Sequence, residues 1–266
     1  MDDYIAKDFF RIYGSPPLRV IPMDEIIDVN WEMISMHYPL LPRAWYELAQ
    51  LSPEDRIDFH RDFWISKIPY QPYLDRQITK FFDSLNDIAV YLVQQSEDLP
   101  CEPFLIYMRK GNTGYFRGAL PAQEDQLLFL EEEFSSFIFP EDYLAFLQIH
   151  NGFWKATDTT GLIPVEKMPS NFRKFQKLLE DQGVPTTCKG DPVDPSTLIP
   201  FYESFGMPYY QCFWTTWYPV EEMGNVYYSS ESNTIDIPEM KSKPAGDNLS
   251  FASFLDWLMF YVEKIT

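Results

Sequence analysis

After Pro72, apolar residues recur at three- and four-residue steps. Leu74, Ile78, Phe81, Phe82, Leu85, Ile88, Ala89 and Leu92 fall on one stripe. This predicts a single amphipathic helix of about five turns. An earlier helix is signalled by Ser52-Pro53-Glu54-Asp55. Ser52 suits the N-cap, Pro53 the first helical position and Asp55 the third. Its body would put Ile57 and Trp64 on one face. Shorter helices are expected around residues 24–36 and 42–50, punctuated by Pro39, Pro42, Pro69 and Pro72. Residues 1–98 therefore read as a helical N-terminal region.

Glu97-Asp98-Leu99-Pro100 reads as a boundary. Residues 99–120 then read as a hairpin or connector, with strands over 104–108 and 115–116 around Lys110-Gly111-Asn112-Thr113-Gly114. From Pro121 the pattern alternates. Helices are predicted over 122–136, from Pro140 to Asn151-Gly152, and over 170–182 with Gly183 as the left-handed cap. Strands are predicted over 161–165, 197–202, 209–217, 226–229 and 234–237. A closing helix follows Ser250 as N-cap, with Phe251, Phe254, Leu255, Leu258 and Val262 as its buried stripe. Runs of strands flanked by helices predict an α+β domain with an antiparallel or mixed sheet.

Charge narrows the partners. The chain of 266 residues carries 21 Lys+Arg against 40 Asp+Glu, a formal net charge of −19, and residues 121–266 carry −13 of it. Such acidity disfavours nucleic-acid backbone and anionic membrane surfaces and permits a basic protein partner. Aromatics make up 17% of the residues, enough to build a core despite the charge. Cys101, Cys188 and Cys212 are widely spaced, with no CxxC, which argues against a disulfide framework or structural zinc. With no apolar leader after Met1 and no long apolar run, a cytoplasmic location is expected.

Five stretches resemble one known family. They are Phe139-Pro140-Glu141-Asp142-Tyr143-Leu144-Ala145-Phe146-Leu147 followed by Asn151-Gly152, then Leu162-Ile163-Pro164-Val165, Leu198-Ile199-Pro200-Phe201, Gly224-Asn225-Val226-Tyr227-Tyr228, and Ser250-Phe251-Ala252-Ser253-Phe254-Leu255. In this order they resemble the motifs of the SUKH superfamily (the SMI/KNR family) over residues 121–266. Two positions depart from the family pattern: Tyr209-Tyr210 leads into Gln211-Cys212-Phe213-Trp214, and Phe153 follows Asn151-Gly152. The resemblance implies a non-enzymatic protein-binding module. It would either neutralise a partner as immunity proteins do, or serve as an intracellular regulatory scaffold. It implies no cofactor and no metal, and it leaves the oligomeric state open.

Candidate binding residues follow from this reading. Phe153 and Trp154, beside the Asn151-Gly152 turn, would be interface anchors if exposed and core residues if not. Glu131, Glu132 and Glu133, with Glu124 and Asp125, make an acidic helix face. Glu221 and Glu222 would extend it. These acids fit a docking patch for a basic, toxin-like partner, or simply a solvated face, the commoner role of such a run. An unrecognised hydrolase is the remaining alternative. Its one thiol–imidazole candidate joins Cys212 to His150 or His37; otherwise Cys212 is an inert core thiol and His150 serves a helix end. Arg109, Lys110 and Arg117 form the one local basic cluster.

Overall fold

The computed structural model describes residues 17–26, 29–112, 114–156, 158, 160–204, 209–216, 224–229, 233–235 and 249–263. Among these, the first four helices are α1 (Trp31–His37), α2 (Arg43–Ala49), α3 (Pro53–Lys67) and α4 (Pro72–Asp83). The Ser52 hydroxyl accepts from Asp55 N–H and starts α3 as its sequence predicts. Strand β1 (Arg19–Pro22) precedes them; β2 (Leu85–Gln94), β3 (Glu102–Arg109) and β4 (Tyr115–Gly118) follow.

The single helix expected from Leu74 to Leu92 is in fact two elements. Helix α4 stops at Asp83, and strand β2 begins at Leu85. The reason lies in the run Ile88-Ala89-Val90-Tyr91-Leu92-Val93, buried at every position. A strand between two others, covered on both faces, is apolar throughout. Any such run also satisfies a helical stripe by coincidence. The N-terminal region is therefore helix-rich but not all-helical.

Helix α5 (Glu124–Glu133) and helix α6 (Glu141–Leu147) come next, then β5 (Phe153–Lys155), β6 (Gly161–Leu162), a 3-10 turn at Val165–Lys167, and helix α7 (Met168–Gln182). Gly183, at φ +64°, closes α7 in the left-handed conformation expected of it. Helix α6 ends earlier than predicted, at Leu147 rather than Asn151-Gly152. Short β7 (Thr187–Cys188) and β8 (Asp191–Pro192) precede β9 (Leu198–Glu203), β10 (Tyr209–Trp214), β11 (Asn225–Ser229), β12 (Thr234–Ile235) and helix α8 (Phe254–Glu263). Ser253, not Ser250, caps α8, accepting from Asp256 N–H. The predicted strand ends beyond Thr216 and Ile235 lie outside the described residues.

The class is α+β. One antiparallel sheet has the order β1-β2-β3-β4-β5, and a second has β11-β10-β9-β6. The small third sheet, β12-β7-β8, contains the parallel pair β12–β7. The first sheet crosses the expected boundary: Gly118 of β4 pairs with Phe153 of β5, and Arg117 with Trp154. The N-terminal residues thus share a sheet with the segment after Pro121.

One core spans both parts. A series of aromatic rings runs from Trp64 to Phe146 (5.2 Å between centroids), to Phe254 (5.6 Å), to Tyr143 (5.1 Å), to Phe213 (5.0 Å) and to Phe201 (4.3 Å, stacked). Such pairs contribute about 0.5–1.5 kcal/mol each beyond burial. Buried Asp142 of α6 accepts from Leu255 N–H at 2.9 Å, which ties the motif of α6 to that of α8. Helix α8 buries Phe254, Leu255, Trp257, Leu258, Met259, Tyr261 and Val262. Its apolar residues go almost all round because it lies inside the molecule.

Candidate functional site

Asn151 organises the junction where the two parts meet. Its Oδ1 accepts from Val165 N–H at 2.8 Å, and its Nδ2 donates to Glu166 Oε2 at 3.0 Å. One side chain thus pins the 3-10 turn after Pro164 to the loop after α6. Gln126 of α5 also donates to Glu166 Oε2, at 3.4 Å. Gly152 takes φ +117°, and the Trp154 ring leaves a Cβ there no space: Cη2 would be 2.6 Å away. Only glycine fits the turn.

A groove runs over this junction. Two adjoining hollows of about 440 Å³ each share Glu102, Phe104, Ala119, Asn151 and Glu166. Leu40, Pro103 and Phe104 give one end an apolar floor. Trp154, Ile163 and Pro164 floor the other. Glu102, Asp125 and Glu166 line it as acids, against the single ammonium of Lys167. Burial pushes the Glu102 carboxyl up; Lys167 opposes this, and Glu166 adds to it. An anionic cleft on an apolar floor suits a cation with an aliphatic stem.

Phe153 and Trp154 are core residues rather than exposed anchors. Phe153 is fully buried, stacked on Phe116 at 5.3 Å and on His150 at 5.7 Å. Trp154 is only 7% exposed, packed against Phe104, with the Arg117 guanidinium over its ring at 5.9 Å. Both are interior residues of a three-residue strand, too short to show alternation in sequence. Trp154 reaches the groove only as part of its floor. Glu131, Glu132 and Glu133 stand exposed on α5, as do Glu124 and Asp125. Glu221 and Glu222 lie outside the described residues.

The thiol–imidazole pair does not form. Cys212 packs in the small core with Phe175, Tyr210 and Tyr228. Burial pushes its thiol well above the usual range. His37 bonds locally to Met33 O. His150 does not serve a helix end but bonds Tyr107, Oη to Nε2, at 2.5 Å, inside the other core. The expected basic cluster is also divided. Arg117 faces Trp154, while Lys110 donates to Asp83 O at 2.7 Å.

The histidines form a feature that sequence reading missed. His150 Nδ1 lies 2.6 Å from Ala119 O. A carbonyl can only accept, so Nδ1 carries the proton and Nε2 is bare. Tyr107 O–H then donates to His150 Nε2, and its oxygen accepts from His60 Nε2–H at 2.6 Å and from Trp64 Nε1–H at 3.3 Å. Burial depresses both imidazoles, His60 well below its usual value and His150 to about 4. His60 and Trp64 lie one turn apart on α3, and Tyr107 of β3 and His150 of the loop after α6 join them only through packing. Together they close a satisfied polar network between the N-terminal part and the rest.

Among the described residues, no three His, Cys, Asp or Glu side chains gather as a metal site, and no helix is long and apolar enough to cross a membrane. No curated protein matches the chain. The sequence model of the SMI1/KNR4 family (SUKH-1) matches residues 121–259. That stretch contains the α6 motif with its Asn151-Gly152 turn, the groove wall at Ile163–Lys167, the second sheet and the start of α8. The chain belongs to the SMI1/KNR4 family (SUKH-1).

Proposed function

We propose that this chain is a non-enzymatic protein-binding module of the immunity type, which neutralises a basic partner protein in the cytoplasm. The observation that carries the reading is the acidic face of α5. Glu124, Asp125, Glu131, Glu132 and Glu133 are all exposed there. Among the described residues, none of them forms an ion pair. Such a face steers a cationic partner and speeds its association. Family membership supports a protein ligand. The net charge of −19 supports a basic one over nucleic acid or membrane. Burial of Cys212, His60, His150 and Tyr107 supports a binding role over a catalytic one. The three free cysteines, all buried, suit a reducing compartment.

Affinity capture from the native source tests this reading. The tagged full chain should retain one stoichiometric, basic protein, and the complex should weaken as salt is raised. Several substoichiometric partners would instead support a regulatory scaffold. Absence of a stable partner would sink the binding reading.

A further inference from the structure

We infer that the groove over Asn151 is the seat of an extended partner segment, in which a lysine or arginine is followed by an apolar residue. This rests on the protein-binding reading above and adds where the partner sits and what it presents.

The cation is argued from the lining. Glu102, Asp125 and Glu166 lie along the groove with only Lys167 as counter-charge. The floor beneath them, Leu40, Pro103, Phe104 and Trp154, is apolar. A lysine or arginine meets both: its stem covers the floor and its head reaches the carboxylates. Glu102 belongs to β3 and Glu166 to the 3-10 turn, so one head group that reaches both carboxylates would bridge the two parts of the molecule.

The apolar residue is argued from α5. Asp125 lines the groove. Three- and four-residue steps from it reach Leu128 and Phe129, and the same steps lead on to Glu132. Leu128 is 53% exposed and Phe129 38%. Adjoining exposed apolar side chains bounded by acids give an apolar partner residue a surface to cover. The groove and this face are continuous through Asp125. A basic side chain in the groove therefore directs its apolar neighbour onto α5.

The test uses the full chain and a labelled synthetic peptide of alternating arginine and leucine, read by fluorescence anisotropy. The wild type should bind it and should not bind the matched peptide with glutamate in place of arginine. The E102Q/D125N variant should bind about tenfold more weakly. The E54Q/E180Q variant, which removes the same charge at exposed sites away from the groove, should bind within about twofold of wild type. Leu128→Ser with Phe129→Ser, on an exposed face that leaves the core intact, should also weaken binding. No binding of the arginine peptide, or equal losses in E102Q/D125N and E54Q/E180Q, overturns the proposal. If a captured partner binds E102Q/D125N as tightly as wild type, the groove is wrong and the protein-binding reading stands. If capture finds no partner, that reading fails, and the peptide results judge the groove independently.

Discussion

The imidazole of His150 lies directly over Gly118: a Cβ on Gly118 would stand 2.3 Å from Cε1 and 2.4 Å from Nε2. No real Cβ tolerates such an approach, so the ring would have to leave its place. It cannot do so freely, because Tyr107 and Ala119 O hold both its nitrogens. Gly118→Ala should destabilise the protein by about 1–3 kcal/mol through overpacking. Urea unfolding checks this; an unchanged midpoint would contradict it.

The Tyr107 hydroxyl makes three hydrogen bonds in a site closed to water. Tyr107→Phe keeps the ring and strips partners from Trp64, His60 and His150 at once. A buried group left unsatisfied costs about 1–3 kcal/mol. Unfolding free energies of the two proteins should differ by at least that amount, with little change in denaturant slope.

The same cluster sets a pH dependence. Both histidines are neutral when folded, His150 titrating only near about 4. In the unfolded chain they titrate near about 6.5. Between those values the unfolded chain binds protons that the folded chain refuses. Stability is therefore lost as pH falls from about 6.5 towards about 4. Each histidine contributes up to about 1.4 kcal/mol per pH unit. Burial raises the carboxyls of Asp87, Glu102, Asp158 and Asp256, whose sign is opposite; protonation there favours the folded chain and offsets the loss at the acid end. Urea midpoints should drop between about pH 6.5 and about pH 5. His60→Asn should flatten that drop, since one of the two titrations is gone.

Much of this was legible where structure is local. Ser52 announces α3, and Gly183 announces the end of α7, because each acts within one helical turn. The α6 and α8 motifs were legible as family features. Strand β2 was not, because an apolar run buried on both faces also meets a helical stripe. The burial of Trp154 followed from residue type alone, since three residues of β5 carry no period to show it. Glu102 and Glu166 line one groove only through the tertiary fold, since β3 and the 3-10 turn lie on either side of the expected boundary. His60, Tyr107 and His150 likewise come together only through packing of α3, β3 and the loop after α6.

Asn151 offers a test of the groove wall. Asn151→Asp keeps the acceptor for Val165 N–H but loses the donor to Glu166. It also sets one carboxylate against another. The change should destabilise by about 1–3 kcal/mol. The loss should shrink at acid pH, as either carboxylate takes a proton. A loss independent of pH would mean that repulsion plays no part.

The central claim is that a partner protein docks over the Asn151 groove and the acidic face of α5. Hydrogen exchange of the full chain, with and without its captured partner, tests this most directly. Protection should appear at Glu102–Leu105, through Gln123–Glu133 and at Val165–Lys167, with the second sheet unchanged. Protection confined to the second sheet, with those three segments exchanging as in the free protein, would contradict the claim.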